Sequence, residues 1–327
     1  MPALKEAAML CYRVAGFILL SLLFGNVLVE AQTRHAAVNY YQRGTKHLNA
    51  GELEEAIGDF TKAIEISSHL GPVNYRPDSP LSGGNSLFES NVDAGTITVI
   101  DPLAANAYTS RGVARFRKGD IDGAVADWER AIWIRPGMAQ PYLNRGCARY
   151  TRGDTAGALS DWSRAIQIDS KLAPAYCNRG ALRTELGEAD EALADLDKAI
   201  ALDPSDSACH YHRGYAWLRK RAFDRAIQDF NKSIELNPKT ALAYQGRGTA
   251  RMSINDLEGA VVDFGLALQL EPDLVQAHMN RGLSLLLLGK DGEAEKDFEH
   301  LLAIKPTIKA ELDERISLAR KIRAVRQ

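Results

Sequence analysis

The stretch that decides the fold is AQPYLNRGCARYTRGDTAGALSDWSRAIQIDSKL, residues 139–172, because most of the chain after residue 35 repeats it. Its Arg-Gly pair returns at a spacing of 34 residues, except for a first gap of 68, which is two periods. The seven pairs are Arg43/Gly44, Arg111/Gly112, Arg145/Gly146, Arg179/Gly180, Arg213/Gly214, Arg247/Gly248 and Arg281/Gly282. A fixed period of this length indicates stacked supersecondary units.

Each copy has the pattern of two helices. In residues 139–172, one apolar stripe precedes Gly153-Asp154 and another, from Ala158 to Ile168, follows it. The glycine suits the left-handed end of a first helix, and the aspartate suits the N-cap of a second. Proline ends several second helices, at Pro136, Pro204, Pro238, Pro272 and Pro306. The sequence therefore predicts an all-α fold, a superhelical solenoid of stacked helical hairpins.

Small and large positions predict how the hairpins pack. Glycine in the middle of a helix costs about 1 kcal/mol relative to alanine, so close helix approach must compensate for it. An alanine stands twelve residues after each glycine, as in Gly146 and Ala158, and we expect these two to face each other. Large residues such as Trp162 come four residues later and are expected to fill the space between hairpins.

These features resemble the tetratricopeptide repeat, a 34-residue unit with Gly, Ala, Phe and Pro at set offsets. The resemblance covers seven copies, in residues 36–70 and 105–308. It departs from the family in two positions. Arginine replaces the leucine before each glycine, and the later aromatic residue of the first helix is replaced by Arg115, Arg149, Arg183 or Arg251 in four copies. The resemblance implies a protein that binds a protein or peptide and has no catalytic activity.

An aspartate follows each of these arginines after sixteen residues, and a hairpin with its turn midway would place the two side by side. The predicted structural ion pairs are Arg43/Asp59, Arg111/Asp127, Arg145/Asp161, Arg179/Asp195, Arg213/Asp229, Arg247/Asp263 and Arg281/Asp297. Contact with the neighbouring hairpin is equally compatible with the spacing. The alternative is a row of arginines that binds an anionic ligand.

The resemblance also implies a binding surface, because in this family the first helices line the concave face. Carrying the inward positions over gives a groove that is apolar and aromatic, suited to a peptide. Its predicted lining is Tyr41, Leu48, Phe116, Leu143, Tyr150, Tyr211, Tyr215, Met252, Met279 and Leu286. The alternative is that several of these residues are interior.

Residues 1–31 have the pattern of a secretory signal. Lys5 and Arg13 precede an apolar run from Val14 to Phe24, and cleavage is expected after Ala31. The alternative is an uncleaved anchor. A periplasmic or secreted location, with a bacterial source, follows from the first interpretation, and a membrane-anchored one from the second.

Three cysteines would remain after cleavage, so at most one disulfide can form. Of the possible pairs, Cys147 and Cys177 are favoured over one with Cys209, although buried thiols without a bond are the more general expectation.

Two segments lie outside the regular repeats. Residues 71–104 are rich in proline and glycine and form either a loop-rich insertion, which could cover the groove or contact a partner, or a degenerate repeat. Residues 309–327 have one helical pattern, Leu312, Ile316, Ala319 and Ile322, typical of a helix that caps a solenoid. This helix is basic, and contact with an anionic membrane surface is the alternative.

Composition and motifs exclude several functions. Of 327 residues, 46% are hydrophobic and 25% charged, and the net charge of −2 favours no nucleic-acid partner. No metal, phosphate-loop or nucleophile motif occurs, so we expect no enzyme and no cofactor. The predicted function is an exported protein-protein interaction scaffold; the alternatives are an anchored adaptor that faces the cytoplasm and a carbohydrate-binding or enzyme-accessory protein. The oligomeric state is left open.

Overall fold

The computed structural model describes residues 29–69 and 102–326, and within them all regular secondary structure is helical. This confirms the predicted all-α fold of stacked helical hairpins. The predicted signal segment, apart from residues 29–31, and nearly all of the predicted insertion, residues 71–101, lie outside the described residues.

Fifteen α-helices lie in the described ranges. They are α1 (29–50), α2 (Leu53–His69), α3 (Pro102–Lys118), α4 (Ile121–Ile134), α5 (Ala139–Thr151), α6 (Thr155–Ile168), α7 (Ala173–Leu186), α8 (Ala189–Leu202), α9 (Ser207–Arg219), α10 (Phe223–Leu236), α11 (Ala241–Ser253), α12 (Leu257–Leu270), α13 (Val275–Leu287), α14 (Asp291–Ile304) and α15 (Lys309–Arg326). A short 3₁₀-helix, Pro306–Ile308, precedes α15. We call the successive pairs from α1/α2 to α13/α14 hairpins 1 to 7.

The turn of each hairpin needs a left-handed residue. Gly153, with φ of 80°, follows α5, and Gly187, with φ of 86°, follows α7. In hairpins 5 and 6 the turn has no glycine at this position, and Arg221 and Asn255 take the same left-handed conformation. Aspartates such as Asp154 then cap the second helix, because the Asp154 carboxylate accepts from the Gly157 N–H at 2.9 Å.

The glycines of the first helices lie against the large fillers of their own hairpins. A Cβ on Gly146 would be 2.6 Å from Trp162 Nε1, and one on Gly282 would be 2.4 Å from Phe298. The alanines twelve residues later, such as Ala158, are fully buried but are not the nearest side chains. Around Gly180 the Ala192 carbonyl is also close, 3.1 Å from an added Cβ. The large filler of each hairpin needs the space that the missing Cβ leaves.

The chain divides into two compact units, residues 1–168 and 169–327. Hairpins 1 to 3 lie in the first unit. Hairpins 1 and 2 are direct neighbours, since Ala63 and Ile64 of α2 share a buried cluster with Ala107 of α3.

The second unit contains hairpins 4 to 7 and α15. The inward side of α15 packs on α13: Leu312 and Ala319 are buried, and Ile316 packs on the same cluster. Ile322, which the pattern placed on that side, is 38% exposed. No helix in the described ranges is both long enough and apolar enough to span a membrane.

Candidate interaction surface and its charged support

Each repeat arginine binds the aspartate sixteen residues later. In hairpin 3, Arg145 Nε and Nη2 donate to the Asp161 carboxylate at 2.9 and 2.8 Å. The same pairing joins Arg43 to Asp59, Arg111 to Asp127, Arg179 to Asp195, Arg213 to Asp229, Arg247 to Asp263 and Arg281 to Asp297. The aspartates are 0–6% exposed. These bidentate bonds therefore hold the two helices of a hairpin in one register.

A second base contacts every one of these aspartates. In hairpins 2, 3, 4 and 6 it is an arginine four residues after the first, as for Arg149, whose Nη1 is 2.9 Å from Asp161 Oδ2. The other three hairpins use histidine, namely His47, His210 and His278. His278 Nδ1 lies 2.9 Å from Asp297 Oδ1, and its Nε2 lies 2.8 Å from the Pro272 carbonyl. A buried carboxylate here always has two basic neighbours.

The first arginine also connects one hairpin to the preceding one. Arg213 Nη1 donates to Asp197 at 2.7 Å, and Arg247 Nη1 donates to Asn231 at 2.8 Å. In the first unit, Arg111 Nη1 donates to Thr61 at 2.9 Å. The two contacts that the spacing allowed, within the hairpin and to its neighbour, thus occur together. The hydrogen bond to Asp229 raises the pKa of the Arg213 guanidinium.

These bonds argue against the arginine row as an anion-binding site. Each guanidinium of the row is already hydrogen-bonded to a carboxylate of its own hairpin. Five of them also stack on a tyrosine three residues earlier, for example Arg247 on Tyr244 at 5.5 Å. The charged network supports the helices that carry the binding surface.

Three residues of the predicted groove are buried, which is a correction. Met279 is 0% exposed and Leu286 1%, because α15 lies against this side of α13. Leu143 is 6% exposed. They stabilise the stack and cannot contact a partner.

Most other predicted groove residues fill the space beside the large fillers. Tyr41 lies 5.7 Å from the Phe60 ring, Phe116 5.9 Å from Trp128, and Tyr211 6.1 Å from Phe230. Leu48 and Met252 pack on the same clusters, half-buried. The open members are Tyr150 and Tyr215, which are 40% and 42% exposed.

The side of the first helices that remains open is rotated by about one residue, or 100°, from the predicted stripe. In the second unit this open stripe consists of Asn178, Glu185, His212, Tyr215, Arg219, Thr249, Ser253 and Asn280, all half-buried or exposed. Of the ten residues named above as the predicted groove lining, the stripe contains Tyr215. The sequence signal for the open stripe is a polar residue directly after a predicted groove residue, as His212 follows Tyr211.

The centre of the open stripe is aromatic. Tyr211 lies 5.0 Å from the His212 ring and 6.4 Å from the Tyr215 ring. Burial, followed by the Tyr215 and Glu185 charges, raises the pKa of Tyr211. Burial also lowers the pKa of His212, more than the carboxylates of Glu185 and Asp206 raise it. At neutral pH this centre is therefore a surface of uncharged aromatic rings, with Glu185 and Arg219 as charged neighbours on the stripe.

The disulfide joins a different pair from the favoured one. Cys177 of α7 is bonded to Cys209 of α9, with Cα atoms 5.5 Å apart, so the Cys147–Cys177 pairing is wrong. The two bonded positions face each other where successive first helices pack. Burial raises the pKa of the Cys147 thiol. Asp206 lies beside the disulfide, and these three side chains are the one group in the described ranges close enough to share a metal ion. The bond occupies both sulfurs.

Comparisons with known proteins agree with this architecture. Family models of the tetratricopeptide repeat match residues 178–241 and 275–308. Heat shock protein STI1 of Saccharomyces cerevisiae is 31% identical over 97 residues, which are 29% of this chain and 16% of the yeast protein. The chain therefore spans a small part of that relative's length.

Solved structures with less sequence similarity share the fold. A tetratricopeptide repeat protein from Parabacteroides merdae superposes with a TM-score of 0.57 at 16% identity, covering 88% of this chain and 99% of that one. For Pseudomonas aeruginosa pilF the TM-score is 0.56 at 20% identity, covering 62% and 92%. For the Cut9-Hcn1 assembly it is 0.59 at 16% identity, covering 84% and 54%.

Residues 178–241 and 275–308 of the chain thus match tetratricopeptide repeats. Proteins built from these repeats are generally protein-protein interaction scaffolds, and the fold is generally non-catalytic. The number of seven family repeats stays a prediction.

Proposed function

We propose that this protein is an interaction scaffold that binds an extended peptide segment of a partner protein on the open stripe of its first helices. The observation that supports this most directly is the centre of the stripe in the second unit. There Tyr215 is 42% exposed beside Tyr211 and His212. Exposed tyrosines on a rigid helix provide contact area at a small loss of conformational entropy.

The ligand chemistry differs from the apolar groove predicted at first. Thr249, Ser253 and Asn280 carry hydroxyl and amide oxygens on the stripe near the aromatic rings, and the two hydroxyls donate to the Gln245 and Thr249 carbonyls of their own helix. An extended peptide presents backbone N–H and C=O groups in need of such partners, together with side chains that can lie on the rings. We therefore expect a ligand of mixed polarity.

Photo-crosslinking in cells tests this proposal. A photoreactive phenylalanine analogue at Tyr215 is expected to capture a partner protein. The same analogue at Val262, which is 59% exposed on the second helix α12, is the matched control. Capture at Val262 but not at Tyr215 would contradict a binding surface on the first helices. A Tyr215→Ser change should reduce binding of the captured partner about tenfold or more.

Export to an oxidising compartment is the second part of the proposal. The Cys177–Cys209 disulfide supports it, because such bonds persist outside the reducing cytosol. N-terminal sequencing of the purified mature protein is expected to begin at Gln32. A chain that retains its first residues and sediments with membranes would favour an anchored adaptor instead.

A further inference from the structure

Three side chains between α7 and α9, those of Cys177, Asp206 and Cys209, depart from the residues that neighbouring repeats have at the same positions. At the places 34 residues before and after them, the chain has Leu143 and Tyr211, Leu172 and Thr240, and Ala175 and Ala243. The two cysteines are bonded to each other, and Cys209 Sγ lies 3.2 Å from Asp206 Oδ2. The donor atoms of all three residues lie within 4.8 Å of one another. A disulfide requires the two cysteines but not the aspartate, so Asp206 needs a separate explanation.

Asp206 caps α9, but with one of its two oxygens. Oδ1 accepts from the Ala208 N–H at 2.9 Å, which is an ordinary N-cap bond. The first helices α5, α7, α11 and α13 begin without a side-chain cap, so a cap is dispensable at this place in the repeat. The cap bond nevertheless fixes the carboxylate, and Oδ2 is thereby held beside the sulfur of Cys209.

Reduction of the disulfide frees both sulfurs as ligands. A dithiol supplies two electrons and two protons and becomes a disulfide itself, while the S–S bond of the protein breaks and each sulfur takes one proton. The Cα atoms of the two cysteines are 5.5 Å apart. Rotation about the Cα–Cβ bonds then lets the sulfurs separate to about 3.8 Å, the distance between two thiolates on one tetrahedral Zn²⁺.

We propose that the reduced form of this protein binds one Zn²⁺ through Cys177, Asp206 and Cys209. Two thiolates and one carboxylate suit zinc, whereas calcium and magnesium prefer oxygen ligands alone. Binding forms two Zn–S bonds and releases the two thiol protons. The cysteines are buried and Asp206 is half-buried, so the fourth position of the ion is open to water on the side of Asp206.

The ion replaces the disulfide as the cross-link between hairpins 4 and 5. Cys177 and Cys209 lie on α7 and α9, the two helices that carry Glu185 and Tyr215 of the open stripe. Zinc therefore holds these two helices together under reducing conditions, as the disulfide does under oxidising ones. This cross-link depends neither on export of the chain nor on peptide binding.

Zinc titration of the whole purified protein tests the proposal. The protein is first reduced with a water-soluble phosphine, which takes up the oxygen of a water molecule while the two protons of that water go to the sulfurs. Competition with a chromophoric chelator should then give one Zn²⁺ per chain, and the oxidised protein should hold none. Cobalt(II) in place of zinc should show thiolate-to-metal charge transfer and the strong visible bands of a tetrahedral site. Zinc should also raise the Tm of the reduced protein and leave that of the oxidised protein unchanged.

Substitutions identify the ligands. Cys177→Ala should abolish zinc binding, and Asp206→Asn, which keeps the helix cap, should weaken it about tenfold or more. The matched control, Cys11→Ala together with Cys147→Ala, removes the other two cysteines of the chain and should leave binding unchanged. Circular dichroism checks that the variants remain folded. Reduced wild-type protein that holds no zinc would overturn the proposal, as would equal binding by the oxidised protein, retention of the ion by Cys177→Ala or an unchanged affinity in Asp206→Asn.

Discussion

Hairpins 6 and 7 use different residues as the second base that contacts the buried aspartate. In hairpin 6, Asp263 is bound by Arg247 and Arg251, both on α11. In hairpin 7, Asp297 is bound by Arg281 and by His278, which stands where the other hairpin has Tyr244. The residue at the place of Arg251 is Leu285, which is buried. The aspartate thus requires two bases, and any first-helix position within reach can provide the second.

The comparison also shows what the second base does. The second base contributes little stability as a charge, but it provides a hydrogen-bond partner for a carboxylate that is buried away from water. Because a second arginine always carries a charge that needs a counter-charge, the two kinds of hairpin should respond differently when the aspartate is removed.

Removal of the shared acid should have the largest effect. Asp263→Ala leaves two guanidiniums in a poorly solvated site without their counter-charge, and we expect a loss of about 3–5 kcal/mol in the free energy of unfolding. Urea denaturation followed by circular dichroism measures it, and hydrogen exchange should show the loss concentrated in α11 and α12. Glu295→Ala, at an exposed position of α14, should change stability by less than about 0.5 kcal/mol.

The same change in hairpin 7 should be milder. Asp297→Ala leaves one guanidinium where Asp263→Ala leaves two, and the His278 ring keeps its contact with the Pro272 carbonyl. We expect a loss about 1 kcal/mol smaller than for Asp263→Ala. Paired urea titrations of the two variants measure the difference. Equal losses would show that the identity of the second base has no influence.

Both kinds of hairpin share the glycine of the first helix. Its replacement by alanine should lower the free energy of unfolding by about 1–3 kcal/mol, although alanine has the better helix propensity. In Gly146→Ala the new Cβ meets the Trp162 indole, whose Nε1 donates to the Leu143 carbonyl at 3.2 Å. Thermal unfolding measures the change. A matched Gly292→Ala substitution, where nothing lies within 4 Å of an added Cβ, should be neutral or stabilising.

Conversion of hairpin 5 from the histidine kind to the arginine kind should reveal energetic coupling between positions 210 and 217. In hairpin 5, Trp217→Arg would bring a third base to Asp229, which already holds Arg213 and His210. Adding His210→Tyr removes the surplus base and offers Arg213 a ring to stack on. A double-mutant cycle should therefore give a favourable coupling of about 1 kcal/mol. Additive effects would mean that the two positions do not serve one site.

The period and the first arginine were enough to predict the hairpins and the register between their helices. The second base could not be predicted, because it comes from two sequence positions and two residue types. Three of the predicted groove residues, Leu143, Met279 and Leu286, are buried, and the sequence pattern could not show this because their burial depends on how the helices pack. The disulfide depends on how α7 and α9 approach each other, and a spacing of 32 residues does not contain that information.

His212 provides the opposite case to His278 and the smallest expected effect. It is half-buried and its ring contacts Tyr211, so burial lowers its pKa in the folded protein. The unfolded chain then binds a proton at a pH where the folded protein does not. This part of the stability is fully present above the unfolded pKa of about 6.5 and is lost as the pH falls below that value. Urea midpoints at pH 7.5 and 5.5 measure the loss, and His212→Gln should reduce it. If the wild type and this variant lose stability equally over that interval, His212 is not the group responsible.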